Sequence, residues 1–213
     1  MVGDNKEKEY PIANISRLRM GIDGKGIRTL ILLSGCPLRC QYCINPTTWN
    51  GEEQPRMMTA EALYKRICID RPYILASGGG LTFGGGEPME YPALINEFRA
   101  ICEPEMTINV ETSLNVEWSK IEEAIDAISL FYVDIKAADP EIYRRYTGGE
   151  LEPVMENLKK LLEKRSPEDI VVRIPRIEGF TDREQQEEAK HMLQEIGLRR
   201  VNLFDYRVVK GNK

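Results

Sequence analysis

Thr29-Leu30-Ile31-Leu32-Leu33-Ser34-Gly35-Cys36-Pro37-Leu38-Arg39-Cys40-Gln41-Tyr42-Cys43 is the stretch on which the reading of this chain turns. Thr29 to Leu33 form a short apolar run of the kind found in a buried strand. The run ends in three cysteines spaced C-x3-C-x2-C. Three thiolates are one short of the four that close an iron–sulfur or zinc site. A cluster held by three cysteines leaves one iron open to a small molecule, which points to chemistry rather than stapling. The competing readings are a zinc knuckle and reduced thiols in a turn. Zinc wants a fourth Cys or His, and the single histidine, His191, is far along the chain in a helical-looking stretch. A secreted disulfide framework fits poorly, because the five cysteines are odd in number and the triplet is too tight for independent bridges. Cys68 and Cys102 fall in helical patterns and read as small core residues.

Five more apolar runs follow the first: Gly80 to Phe83, Thr107 to Glu111, Leu130 to Asp134, Ile170 to Ile174 and Val201 to Asp205. Amphipathic stretches separate them. Helices are expected from Thr59 to about Ile69, Pro92 to Cys102, about Ser119 to Ala127, from Pro140, from Pro153, and from Asp182 to Ile196. Strand and helix in alternation give a parallel α/β fold. Six units are too few for a complete eight-stranded barrel, and periodicity alone leaves a doubly wound sheet open. In either fold ligands bind at the carboxyl ends of the strands. Cys36, Gly84 to Glu87, Glu111-Thr112, Asp134 with Lys136, Arg173, and Asp205 to Arg207 all fall there.

The chain has 213 residues, and 29 basic against 34 acidic side chains give a net charge of −5. That balance makes no electrostatic case for nucleic acid. No apolar run reaches the length of a membrane span. Residues 1–14 read as a polar N-terminal extension and 15–213 as one domain. With no hydrophobic leader in the opening residues, cytoplasmic residence is expected.

The cysteine triplet with Tyr42 just before its third member resembles the signature of the radical S-adenosylmethionine (radical SAM) superfamily. Asp23-Gly24-Lys25-Gly26-Ile27-Arg28 before it and Gly84-Gly85-Gly86-Glu87-Pro88 after it extend the likeness. The ordered set resembles the activating enzymes of glycyl radical enzymes, pyruvate formate-lyase activating enzyme being the type. The resemblance implies a partial (β/α)6 barrel and a [4Fe-4S] cluster on Cys36, Cys40 and Cys43. S-adenosyl-L-methionine (SAM) would bind the open iron. Gly85, Gly86 and Glu87 would hold its amino group, with Asp134 and Lys136 in the same pocket. Tyr42 either stacks near the adenine or packs on the rim. Arg173 either binds the SAM carboxylate or pairs with a neighbouring acid. Glu111, Thr112, the Tyr132 carbonyl and Asp134 match a monovalent-cation site, although Glu111 is longer than the Asp often found there. Arg207 stands where the family type carries a histidine. The segment around Lys25 is expected to border the cluster.

The implied activity is reductive cleavage of SAM to a 5′-deoxyadenosyl radical, which takes the α-hydrogen of one glycine in a partner glycyl radical enzyme. A flavodoxin or ferredoxin would donate the electron, and the chain is expected to act as a monomer. The short span after the sixth strand leaves little to wall off a small substrate, which favours a macromolecular one. Two other readings stand beside it: a small-molecule radical SAM enzyme resembling 7-carboxy-7-deazaguanine synthase, and a non-catalytic metal-binding module.

Overall fold

In the computed structural model, which describes residues 7–207, the chain opens with Tyr10–Met20 (β1). This strand pairs antiparallel with Ile27–Leu33 (β2) on one side and with the short Arg56–Met58 (β3) on the other. Gly80–Gly85 (β4), Thr107–Thr112 (β5), Leu130–Asp134 (β6), Ile170–Arg176 (β7) and Arg200–Asp205 (β8) then extend β2 as parallel neighbours in chain order. Among the described residues no pairing joins β8 back to β3, so the sheet curves without closing. The six parallel strands are those expected from the apolar runs, and the architecture is the open α/β form.

The antiparallel pair lies partly in the stretch read as an extension. Tyr10 and Ile12 are 1% and 3% exposed and belong to the core. The polar residues of β1 and its Pro11 disguise the strand, whose burial alternates only at its start. Residues 1–6 of that stretch lie outside the described residues.

Helices fill the crossovers. They are Ala60–Ile67 (α1), Arg71–Ala76 (α2), Pro92–Ile101 (α3), Trp118–Ala124 (α4), Pro140–Thr147 (α5), Leu151–Lys164 (α6) and Arg183–Glu195 (α7). Three of them carry side-chain caps: Thr59 accepts from the Ala62 amide, Asp139 from the Ile142 amide, and Asp182 with Gln185 forms a reciprocal capping box. None of them is long and apolar enough to cross a membrane.

Side-chain alternation divides the sheet. Ile31, Phe83, Val110, Phe131, Val133 and Val172 are fully buried and form a core with the helices. The opposite, inner face carries Arg28, Thr82, Asn109, Glu111, Tyr132, Asp134 and Arg173. A polar inner face is unusual for parallel strands, which are normally apolar on both sides.

Its lower end is sealed by Arg28, 1% exposed, which donates to the Thr82 and Thr107 hydroxyls at 2.9 and 2.8 Å. Burial pulls its pKa down to about 10. The Asp23 carbonyl accepts from Thr82 and from Asn109. The Asp23–Arg28 segment therefore packs at the starts of the parallel strands. Seven residues of β2, about 20 Å of chain, separate Ile27 from the turn into the cysteines. The expectation that this segment borders the cluster loop is corrected: it runs under the opposite end of the strand.

Candidate active site

β2 delivers Cys36 to the upper rim, and α5 holds the cysteine loop in place. The last carbonyls of a helix have no partners within it. Here the loop supplies them. The Arg39 amide donates to the Thr147 carbonyl at 2.7 Å, and the Gln41 amide to that of Tyr146 at 3.0 Å. The Gln41 side chain takes the Arg145 carbonyl at 2.9 Å. Gly148, at φ 72°, turns the chain out of α5 in the left-handed conformation. Leu38, 2% exposed, then packs on Gly149, where a Cβ would lie 2.4 Å from its Cδ2. Arg39 knits the loop to itself through the Cys36 and Leu38 carbonyls. The last strand reaches over to the same loop, where the Tyr206 hydroxyl donates to the Tyr42 carbonyl.

The three thiols are partly exposed and unpaired. Burial pushes the Cys36 thiol up to about 12 and raises that of Cys40. Metal coordination reverses this, since a ligating thiol is deprotonated outright. Among the described residues no three Cys, His, Asp or Glu side chains converge as a single ion would need.

The loop after β4 is stitched to the start of the cysteine loop. The Gly86 amide donates to the Leu33 carbonyl at 2.9 Å and the Glu87 amide to that of Gly35 at 2.8 Å. A Cβ on Gly86 would lie 2.0 Å from the Gly35 oxygen, so only glycine allows this approach. Gly85 is also pressed, by Leu32 and Leu33 at 2.7 to 2.9 Å from where a Cβ would sit. Gly84 instead sits on the inner face, 3.5 Å from Glu111 at its missing Cβ.

Glu87 turns away from the rim into the protein and is 1% exposed. Its carboxylate accepts from Thr112 Oγ1 (2.6 Å), Ser113 Oγ (2.6 Å), the Ser113 amide (2.8 Å) and the Met89 amide (3.2 Å). Burial raises its pKa against the pull of those donors. Four bonds fill the acceptor capacity of a carboxylate. In this geometry Glu87 braces two loops. Ser113 was missed by the sequence reading, although it directly follows Glu111-Thr112.

At the tops of β5, β6 and β7 four charges alternate. Lys136 Nζ lies 3.0 Å from Asp134 Oδ2, Arg173 Nε 2.6 Å from Asp134 Oδ1, and Arg173 Nη1 3.1 Å from Glu111 Oε1. Burial would raise the Asp134 pKa, but Lys136 and Arg173 outweigh it and hold it at about 2. Glu111, with Arg173 alone opposing desolvation, is raised. The Lys136 ammonium feels the Cys40 thiol as well as Asp134, which ties this group to the cysteine loop. Arg173 thus pairs with acids, one of its two expected roles.

Tyr42 packs against Tyr146 and Phe180, with ring centroids 6.2 and 5.9 Å away. Arg207 is exposed, and it is the preceding Tyr206 that touches the cysteine loop. Cys102 is buried as expected, while Cys68 is half-buried.

Comparison with known proteins agrees with this arrangement. The family model described as the Radical SAM superfamily matches residues 30–192. A pyruvate formate-lyase-activating enzyme of Clostridium pasteurianum is 37% identical over 130 residues, 60% of this chain and 53% of that protein. The one of Staphylococcus aureus is 32% identical over 168 residues, 76% of this chain and 66% of that protein. This chain thus spans between about half and two thirds of the length of these relatives. A crystallised domain of pyruvate-formate lyase-activating enzyme from Bacteroides vulgatus superposes with a TM-score of 0.52 at 25% identity, covering 61% of this chain and 81% of that one. Streptococcus suis SuiB bound to S-adenosylmethionine shares the fold, with a TM-score of 0.63 at 20% identity over 83% of this chain and 40% of that one.

Proposed function

This chain belongs to the radical SAM superfamily, and from that premise we propose that it is the activase of a glycyl radical enzyme. Cys36, Cys40 and Cys43 would ligate a [4Fe-4S] cluster, with SAM at its open iron. Bound there, the two supply one-electron cleavage of the sulfonium and a carbon-centred radical that abstracts hydrogen. The protein's own share is placement and shielding. The α5 terminus and Tyr206 fix the cysteine loop. Gly84 leaves bare backbone on the inner face for a ligand to approach. Gly85, Gly86 and Glu87 hold the rim loop that faces the SAM amino group, with Glu87 acting through Thr112 and Ser113.

Arg173 uses two of its five N–H groups on Asp134 and Glu111. The others remain for the SAM carboxylate. Lys136 sets a positive charge beside the thiolates. Tyr42, with Tyr146 and Phe180, forms an aromatic wall at the rim. Arg207 lies beyond it, towards a partner. The electron would come from a flavodoxin or ferredoxin, and the substrate would be an exposed glycine loop. We read the setting as the cytoplasm of an anaerobically growing cell, a reading supported by the oxygen sensitivity of an open [4Fe-4S] cluster.

The observation that carries the proposal is the convergence of the cysteine loop, the glycine loop and the Asp134–Lys136–Arg173 group on one rim. It joins with relatedness to activating enzymes over three quarters of the chain. The test is anaerobic. Protein reconstituted with iron and sulfide receives dithionite and SAM, and 5′-deoxyadenosine is assayed by chromatography. Cleavage that needs all three cysteines, followed by a glycyl EPR doublet on added pyruvate formate-lyase or another glycyl radical enzyme, is expected. Cluster-loaded protein that forms no 5′-deoxyadenosine would refute it.

A further inference from the structure

Family likeness implies a monovalent cation on Glu111, Thr112, the Tyr132 carbonyl and Asp134. The residues present do not fit one. Arg173 stands between the two carboxylates, 3.1 Å from Glu111 and 2.6 Å from Asp134. Lys136 takes the second Asp134 oxygen at 3.0 Å. Two negative side chains face two positive ones, so no net charge remains to attract an ion, and an incoming cation would meet a guanidinium. Thr112 is committed elsewhere: its hydroxyl donates to Glu87 at 2.6 Å and accepts from the Leu114 amide at 2.9 Å. It is 2% exposed and alternates with the inner-facing Glu111, on the helical side of β5.

We propose that the Arg173 guanidinium replaces the monovalent cation in this chain, and that Glu111 makes the replacement possible. Its extra methylene carries the carboxylate from the β5 end to Arg173. An aspartate there would stop one carbon short of Arg173, which would stay on Asp134, and leave an unpaired carboxylate free to hold an ion. The consequence is a SAM pocket indifferent to K+ and Na+. It also has an arginine oriented before SAM arrives, because both flanking carboxylates fix the fork.

This inference rests on the SAM-pocket reading, so its test reads the ion and SAM separately. Thallium-205 NMR with thallous acetate, Tl+ standing in for K+, is run on the folded chain. The SAM dissociation constant of cluster-loaded protein is measured by equilibrium dialysis in potassium, sodium and tetramethylammonium acetate at equal ionic strength. The natural sequence is expected to show no saturable Tl+ site and SAM affinities within twofold across the salts. Glu111→Asp is expected to bind SAM at least fivefold tighter in potassium than in tetramethylammonium. Arg173→Met, which leaves Glu111 unmatched and Asp134 with Lys136 alone, is expected to gain a Tl+ site that K+ displaces.

A saturable Tl+ site in the natural sequence, or a fivefold loss of SAM affinity without K+, overturns the proposal. Failure of Glu111→Asp to gain salt dependence while still binding SAM overturns the role of Glu111. If no form binds SAM in any salt, the SAM-pocket reading fails, and the thallium titration still decides the question of the cation.

Discussion

Replacing Glu87 by alanine separates two roles that the same residue could play. As a ligand for the SAM amino group, its loss would weaken SAM binding and leave the fold alone. As the brace described above, its loss strips the acceptor from four donors: the Thr112 and Ser113 hydroxyls and the Ser113 and Met89 amides. The hydroxyls can rotate to other acceptors, but the amides cannot. A buried donor left without a partner costs about 1–3 kcal/mol. The two amides therefore set a floor of about 2 kcal/mol, and relief from burying a carboxylate offsets part of the rest. We expect Glu87→Ala to lose about 3 kcal/mol. The assay is equilibrium unfolding of the cluster-free chain in urea, followed by circular dichroism, with the loss read as a shift of midpoint at constant slope. A second measurement takes the SAM dissociation constant of whatever cluster-loaded protein remains folded. A stability loss below 1 kcal/mol together with a tenfold weaker SAM affinity would refute the brace and restore the direct contact.

Gly86→Ala is expected to disrupt the rim, because its Cβ would meet the Gly35 carbonyl at 2.0 Å. Iron content after reconstitution should fall to less than half, since the two rim loops must part. Asp134 should make stability acid-sensitive. Its folded pKa, about 2 against 3.8, is depressed, so its contribution is full above pH 3.8 and is lost as pH falls towards 2. That difference amounts to about 2 kcal/mol, which Asp134→Asn should abolish from the acid limb of a stability–pH profile. Tyr206→Phe removes the donor to the Tyr42 carbonyl. Amide hydrogen exchange of residues 40–43 should accelerate at least fivefold in the cluster-free chain, with little change in α6.

What could be read from the sequence follows from which signals are local. The parallel strands announce themselves as apolar runs bounded by turns, and the rim residues by their place just beyond them. β1 hides because Asn14, Ser16, Arg17 and Arg19 interrupt its apolar residues and nine of its eleven residues are not buried, and β3 because it is only three residues long. Side-chain direction is the other gap. Nothing in Gly84-Gly85-Gly86-Glu87 says that the carboxylate turns away from the rim. That depends on Thr112 and Ser113, brought alongside by sheet register. For Arg173 the sequence leaves open a ligand and an acid partner, and the acid contact comes from the β6–β7 register, which sets Asp134 opposite Arg173. Arg207 drew attention by its charge, whereas the uncharged Tyr206 makes the contact.

The dependence of the cysteine loop on the end of α5 also orders events in time. Arg39 and Thr147 are 108 residues apart, so the bond between their backbones closes a long loop whose entropic cost must be met by other contacts of the fold. During synthesis the three thiols leave the ribosome well before the helix that anchors them. Until then they belong to a loose segment, open to oxidation or to the wrong metal. Iron and sulfide delivered early would find no mould, and only a chain folded at least as far as Gly149 offers one. Cluster loading is therefore expected to follow folding, and truncation anywhere before Thr147 should yield thiols that are not held as a set.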